Sequence, residues 1–457
     1  MESPIMLRSI NPSNDVLIAA TPVMSADELD HHLGRAKRTS VEWTLLPFHE
    51  RALRVRELAR LLRIHAEEAA LLLCDEMGKP LTQARAELGK CAATCEYYAA
   101  EAASMLAPTP LHLEFRSARI VYEPLGVLLA IMPWNFPYWQ TIRAVIPAIM
   151  AGNTVVVKPA PEITLSAALL QGLFDSAGLG DGIVTTLRAT VEQTHRCIAD
   201  ERIACVTFTG STRAGREVAA LAGRALKKTV LELGGSDAVC VCEDADIALA
   251  ARIAAQSRLV NNGQSCIAAK RCIVMRRAIP EFERALKQEM MQAVMGDPRE
   301  ETTTVGPLAR RDLCDALNAQ VRESVRLGAR VVLDGGPTGD ACFFAPMVLG
   351  DVTSSMPVYG EEVFGPVMAV IAADTEAEMI RIANDTRYGL GATVISADVQ
   401  RAHRIAERLD AGVVFINDMV RSDARLPFGG CKDSGWGREL GALGIREFVN
   451  IKTVVEP

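Results

Sequence analysis

The chain has 457 residues, enough for roughly two or three domains with substantial cores, which excludes a peptide hormone or a small zinc module. Hydrophobic residues make up 49% and charged residues 23%, an ordinary globular balance that rules out a disordered or collagen-like chain. The formal net charge of −7, from 49 Lys+Arg against 56 Asp+Glu, is too mildly acidic to attract nucleic acid or an anionic membrane, and no basic stripe occurs.

Twelve cysteines are scattered without a CxxC pair, and the seven histidines do not join them at ligand spacing. Reduced thiols in a cytoplasmic protein, with no metal site, are the expectation. The N-terminal MESPIMLRSINPSND lacks the charged and apolar blocks of a targeting segment. The most apolar stretch, 126–151, is broken by Pro133, Asn135, Pro137, Arg143 and Pro147 and cannot span a bilayer.

In chain order, the segment from Ser25 to about Ala107 has helical periodicity, with Met77-Gly78-Lys79-Pro80 as a helix stop and Cys91 and Cys95 as small core-facing residues one turn apart. From Leu111 to Tyr122, alternation around Ser117-Ala118 predicts a two-stranded hairpin that forms an arm. Short apolar runs then alternate with amphipathic helices: GVLLAIMP, a helix through Ile149, NTVVVKP, a helix from about Thr164, IVTTLRA, a helix, ACVTFTGS, a helix from Ala214, and KKTVLELGG. Such alternation predicts a parallel sheet covered on both faces, an architecture of the nucleotide-binding type.

After Gly235 a second α/β cycle begins with a helix from Asp246 to Leu259. It continues through CIVMRR, EFERALKQEMMQAV, RVVLDGG, MAVIAAD, a helix to Asn384, ATVIS, a helix and GVVFIN. The tail REFVNIKTVVEP reads as a strand able to pair with the hairpin or with a neighbouring subunit.

Two features point to chemistry. The polar run Asn261-Asn262-Gly263-Gln264-Ser265-Cys266 follows a helix, a place where a thiol is exposed and activated by local amides. Glu232 lies between apolar neighbours at a strand end, where burial raises a carboxyl toward the range of a general base; the alternative is a cap on the next turn. All seven histidines lie outside the glycine-rich motifs, so a carboxylate must supply base chemistry.

Seven motifs in order resemble the aldehyde dehydrogenase superfamily: Pro133-Trp134-Asn135-Phe136-Pro137, Lys158-Pro159-Ala160, Phe208-Thr209-Gly210-Ser211, Leu231-Glu232-Leu233-Gly234-Gly235, Gly263-Gln264-Ser265-Cys266, Glu362-Val363-Phe364-Gly365-Pro366 and Pro427-Phe428-Gly429-Gly430. LGKCAATCEYYA, EPLGVLLAIMPWNFPYWQ and SDARLPFGG further resemble the bacterial succinate semialdehyde dehydrogenase branch. The resemblance spans essentially the whole chain and implies an α/β fold. A Rossmann-type cofactor domain (1–110 and 124–233) and an α/β catalytic domain (234–438) would be joined by a small β oligomerisation arm (111–123 and 439–457), in a homodimer or homotetramer.

The resemblance implies that Cys266 attacks the aldehyde, that the Asn135 carboxamide with the Cys266 N–H holds the oxyanion, and that Glu232 activates water to release the acid. For NAD or NADP it implies Lys158, Gly210 and Ser211 at a helix start, Glu362 on the nicotinamide ribose and Phe364 beside it, with Trp134 and Leu233 completing the set. Core packing is the alternative for Phe364. Pro161 stands where many NAD-preferring members carry a Glu, and Glu162 would replace that Glu only by turning inward.

For the substrate, the resemblance points to Arg143 and Ser422 as holders of a distal carboxylate, with Arg425 as a nearby extra cation. An ion pair within the protein is the alternative for Arg143. A second arginine of the family pattern is replaced by Val260, with Arg258 two residues before it. Ala268 stands where some relatives carry a redox-switch cysteine, and Cys272 is expected to pack inward. The expected reaction is oxidation of succinate semialdehyde to succinate, with glutarate semialdehyde or another short aldehyde as the alternative. A cofactor-independent Cys acyltransferase is the rival from a different class.

Overall fold

The computed structural model describes residues 5–339 and 341–457. Two mainly parallel sheets organise them. The first has six strands in the spatial order Gly435–Trp436, Lys228–Glu232, Ile203–Thr209, Val127–Ile131, Thr154–Lys158 and Val184–Thr186. Every neighbouring pair is parallel except the outermost, where Gly435 faces Glu232 in an antiparallel register. Val127–Ile131 is buried along its whole length, as apolar runs in a parallel sheet require, because helices cover both faces.

The chain leaves Val127–Ile131 toward one edge of this sheet and then returns to lay Ile203–Thr209 on the other side. The gap between the two strands is therefore a topological switch point. Loops at the carboxyl ends of strands diverge there and leave a crevice.

The second sheet has seven strands in the order Arg330–Leu333, Met347–Gly350, Val367–Ala373, Arg271–Met275, Ala238–Val241, Gly391–Ile395 and Val413–Ile416. Only Arg330–Leu333 is antiparallel to its neighbour. Cys272 lies in the middle of this sheet, fully buried, as expected.

Four helices, Ala26–Leu45, Phe48–Ile64, Ala66–Met77 and Leu81–Met105, precede the first sheet. Gly78 ends the third with φ +73, and both Cys91 and Cys95 are fully buried in the fourth. The tail strand Val449–Glu456 pairs antiparallel with Ser117–Pro124, which also pairs with Thr109–Leu111. The arm is thus a three-stranded sheet, and of the two partners expected for the tail it takes the hairpin. The hairpin turns over residues 112–116, whereas the alternation had centred the turn on Ser117-Ala118; those two residues already pair with Glu456 and Val455.

Several elements escaped the sequence, among them the 16-residue helix Arg311–Arg326. The hairpin Met6–Asn11 with Val16–Pro22 is largely solvated and lacks a core-facing run. The strands Ala238–Val241 and Met347–Gly350 are four residues each, too short for a period. Gly435–Trp436 adds two residues to the first sheet from a segment assigned to the second unit.

Asn153 ties the arm to the first sheet. It is fully buried, its Oδ1 accepts from the N–H groups of Leu125 and Gly126 at 2.7 and 3.0 Å, and its Nδ2 donates to the carbonyls of Ala148 and Phe448 at 3.0 and 2.8 Å. Asn153→Ala removes the side-chain partner of the Leu125 and Gly126 N–H groups and of the Phe448 carbonyl, and is expected to destabilise the protein by about 2 to 3 kcal/mol, read as a lower urea midpoint.

Candidate active site

The Cys266 loop begins with an unusual backbone. Asn261, Asn262 and Gly263 take φ values of 52°, 59° and 78°, three successive left-handed residues. A Cβ on Gly263 would lie 2.3 Å from the Gly365 carbonyl carbon and oxygen, so glycine is required twice over, by conformation and by space.

Distant segments hold this turn, largely through its own asparagine side chains. Asn262 Nδ2 donates to the carbonyls of Gly78 and Pro307 at 2.8 and 2.9 Å, and its Oδ1 accepts from the Gly306 N–H at 2.8 Å. The Asn261 N–H donates to Gln83 Oε1 at 2.7 Å, and Asn261 Nδ2 donates to the Asn135 carbonyl at 2.7 Å. Arg258 donates to the Gly263 carbonyl, so the arginine two residues before Val260 braces the loop and does not line the cavity beside Cys266.

Beyond the turn, the Asn135 carboxamide lies beside the Cys266 loop, donating from Nδ2 to the Gln264 carbonyl at 3.0 Å. The Cys266 N–H has no partner among the described residues. Lys270, fully buried, donates to the Ser265 carbonyl at 2.9 Å and also to the Cys266 carbonyl. The activated thiol expected from the sequence is not what this structure holds. Burial pushes the Cys266 thiol up to about 12, with Lys270 and Arg143 opposing and Glu362 and Glu232 reinforcing the rise.

Glu232 ends its strand buried, and neither carboxylate oxygen has a hydrogen-bond partner among the described residues. Burial, then the Glu439 charge, raises its pKa well above the ordinary range, while Arg143 and Arg438 pull it down. A cap on the next turn would have engaged those oxygens, so the general-base environment is the one present. The glycines after it make room for neighbours. A Cβ on Gly235 would meet the Cys266 carbonyl oxygen at 2.5 Å, and one on Gly234 would meet Glu362 Oε2 at 2.5 Å.

The expected cofactor residues line the carboxyl end of the first sheet. Lys158 closes its strand half-buried, and its ammonium enters no ion pair or hydrogen bond among the described residues. Ser211 caps the helix Thr212–Arg224, its hydroxyl accepting from the Ala214 N–H at 3.3 Å, while Gly210 donates to the Glu232 carbonyl at 3.0 Å. Glu362 Oε1 accepts from the Gly235 N–H at 3.0 Å. The Trp134 and Phe364 rings meet edge to face with centroids 5.8 Å apart. Leu233 is buried, and a Cβ on Gly215 would lie 2.4 Å from its side chain, so that side chain packs the helix onto the sheet. An unpartnered ammonium, a helix start and a carboxylate along one crevice suit a dinucleotide. Glu162 does not turn toward Lys158 alone; its Oε1 accepts from Arg310 at 2.7 Å.

A cavity of about 340 Å³ opens beside Cys266. Its wall includes Lys90, Arg143, Arg421 and Ser422. Arg143 is buried in an ion pair with Glu439 and lies 5.0 Å from the Phe428 ring centroid, so the internal ion pair weighed against substrate binding is present, although the residue also lines the cavity. Ser422 is where the resemblance put it, its hydroxyl accepting from Lys90 at 2.7 Å. Arg425 is a correction. Its side chain is exposed and chelated by Asp423 at 2.7 and 2.8 Å, two residues back, outside the cavity wall. Lys90 was missed, because a lysine on a long helix reads as a solvated face; the signal was its spacing from Gln83 and Glu87, which shares one helical stripe.

A family model described as "Aldehyde dehydrogenase family" matches residues 2–454. The chain is 43% identical to the succinate semialdehyde dehydrogenase (NAD(P)+) Sad of Escherichia coli K12, over 98% of this chain and 97% of that one. It is 40% identical to a probable succinate-semialdehyde dehydrogenase (NADP+) of Synechocystis, over 98% and 99%. The crystal structure of a succinic semialdehyde dehydrogenase from Streptococcus pyogenes in complex with NADP+ superposes with a TM-score of 0.96 at 35% identity, covering 99% of this chain and 100% of that one.

Because the thiol is protonated at neutral pH, the rate of Cys266 alkylation by iodoacetamide in the cofactor-free protein should climb about tenfold per pH unit from about pH 7 to about pH 10. Cys266→Ala supplies the background rate, and a plateau near the ordinary thiol value of about 8.5 would contradict the burial effect.

Proposed function

The chain belongs to the aldehyde dehydrogenase family, and from that premise we propose that it oxidises succinate semialdehyde to succinate with NAD or NADP through a thioester on Cys266. The observation that carries this reading is the cavity that holds Cys266 on the same wall as Lys90, Arg143, Arg421 and Ser422. An aldehyde with a distal carboxylate fits a reactive thiol facing cationic and hydroxyl groups; a plain alkyl chain has no use for them.

Cys266 Sγ attacks the aldehyde carbon as the thiolate, its proton having left to solvent, and the carbonyl electron pair moves onto oxygen. The free Cys266 N–H and the Asn135 carboxamide hold the oxyanion. When bound, the nicotinamide supplies the hydride acceptor. Glu232 then takes a proton from water as it attacks the thioester carbonyl; collapse expels the thiolate and releases the acid, and Glu232 returns its proton to Sγ to restore the thiol. Raising the Glu232 pKa makes its carboxylate a stronger base, and its unpartnered oxygens leave lone pairs for this task.

Lys158, Gly210, Ser211, Glu362 and Phe364 hold the dinucleotide in this reading. A cofactor-independent acyltransferase has no need of that set. With Pro161 unable to chelate the adenine ribose diol and Glu162 neutralised by Arg310, little repels a 2′-phosphate, which supports use of both NAD and NADP. The relatives described as NAD(P)+ and NADP+ enzymes point the same way. Glutarate semialdehyde is the second reading, since the same cations suit a chain one methylene longer.

We further place the protein in the cytoplasm as a homodimer or homotetramer. Its twelve cysteines are all free, and the outer edge of Val449–Glu456 carries exposed Ile451 and Val455 beside unpaired backbone groups suited to a second subunit. No helix among the described residues is long and apolar enough to cross a membrane.

Cys266→Ala is expected to abolish semialdehyde oxidation while retaining NADP+ binding, measured by NADPH formation and by fluorescence titration. Glu232→Gln should preserve the first-turnover burst of NADPH and slow steady-state turnover by about 100-fold, in line with loss of a general base. Loss of the burst would move Glu232 to the earlier step.

A further inference from the structure

Three cations share the cavity wall beside Cys266, and two of them already have carboxylate partners. Arg143 pairs with Glu439, and Arg421 pairs with Asp418 at 2.7 Å. Lys90 enters no ion pair among the described residues. Its Nζ donates to the neutral Ser422 hydroxyl at 2.7 Å and lies 4.0 Å from the Trp139 ring centroid.

The nearby acids are engaged elsewhere. Glu87, one turn earlier on the same helix, gives Oε2 to Lys79 and Oε1 to the N–H groups of Tyr138 and Trp139, each at 3.0 Å. Asp423 is held on both oxygens by Arg425. An ammonium has three donors, and a hydroxyl and an aromatic face account for two. A half-buried cation without a counter-ion is unfavourable unless a ligand brings one.

We propose that Lys90 is the specificity-determining cation for the substrate, receiving the distal carboxylate of a short ω-carboxylate aldehyde whose carbonyl lies at Cys266, with Ser422 holding the ammonium in place. This assignment rests on the function proposed above and gives the carboxylate a partner other than Arg143, whose charge is committed to Glu439. It also accounts for the loss of the second family arginine at Val260, which lines the same cavity as an apolar residue.

Burial lowers Lys90 to about 8, and Arg143 on the facing helix adds to the shift, while Cys91 and Glu87 on its own helix and Asp423 on the opposing loop counter it. Arg421 and Cys266 line the same cavity. The ammonium is therefore charged below about pH 8 and loses its charge above it, so carboxylate recognition should weaken as pH rises through that value.

The test compares KM for succinate semialdehyde with KM for butanal in the wild type, Lys90→Met and Lys90→Arg, from about pH 6.5 to about pH 9.5. In the wild type the semialdehyde KM should lie below that of butanal and the ratio should change above about pH 8. Lys90→Met should raise the semialdehyde KM relative to butanal by about 10- to 100-fold and remove the pH dependence of the ratio. Lys90→Arg should restore the preference without its alkaline decline, because guanidinium stays charged. An unchanged ratio in Lys90→Met, or an equal loss on both aldehydes through kcat, overturns the assignment while leaving the succinate semialdehyde reading intact. A wild type that shows no preference for the carboxylate overturns that reading and this one with it.

Discussion

The left-handed turn at Asn261, Asn262 and Gly263 is the constraint on which the active site depends. An L-residue in this region is disfavoured by about 1 to 2 kcal/mol, so two asparagines in succession persist only where surrounding contacts over-determine them. Here the anchors come from Gly78, Gln83, Asn135, Arg258, Gly306 and Pro307. Nearly every one lies in a different element. The Cys266 loop is thereby fixed to the helical layer, to the Asn135 loop, to the helix Ile247–Leu259 and to the Gly306-Pro307 segment together, and none of these can shift independently without disturbing Cys266.

Around that turn the interior holds more charge than a typical core, and how each charge is compensated separates structural groups from reactive ones. Lys79 and Glu87 satisfy each other, and Glu87 also terminates the helix start at Pro137. Arg143 and Glu439 form a second buried pair. Pairs of this kind position elements and leave little free energy to release, since desolvation offsets most of the attraction. Glu232, by contrast, enters neither an ion pair nor a side-chain hydrogen bond among the described residues and sits near a second acid, Glu439, which with burial raises its pKa. A group left unsatisfied in this way is disposed to move a proton.

Much of the architecture was legible because its signals are local. Parallel strands such as Val127–Ile131 are buried throughout and read as apolar blocks, and Cys266, Glu232 and Asn135 sit in glycine- and proline-bearing motifs whose order carries the family resemblance. What the sequence concealed depends on distance. Lys90 acquires meaning only from Trp139 and from Ser422, which lies 332 residues away in the chain. Arg425 looked suitable by position, but Asp423 captures it locally, a contact that motif order does not report. The thiol of Cys266 was expected to be activated because its loop is polar; it is partly exposed to the cavity, but desolvation by the surrounding elements pushes its pKa up instead.

The helix Leu81–Met105 presents Gln83, Glu87 and Lys90 along one stripe, and each is attached to a different loop: the first to the nucleophile turn, the second to the start of the Pro137 helix, the third to Ser422. At about 1.5 Å per residue, the rise from Gln83 to Lys90 is about 10 Å, and no side-chain adjustment alters it. The helix is in effect a gauge, with the nucleophile indexed at one mark and a cation at another. A chain built for much longer acids could not stretch this spacing gradually; a difference of one methylene falls to the flexible lysine side chain, whereas a larger one would require the cation to move by a whole turn, about 5.4 Å.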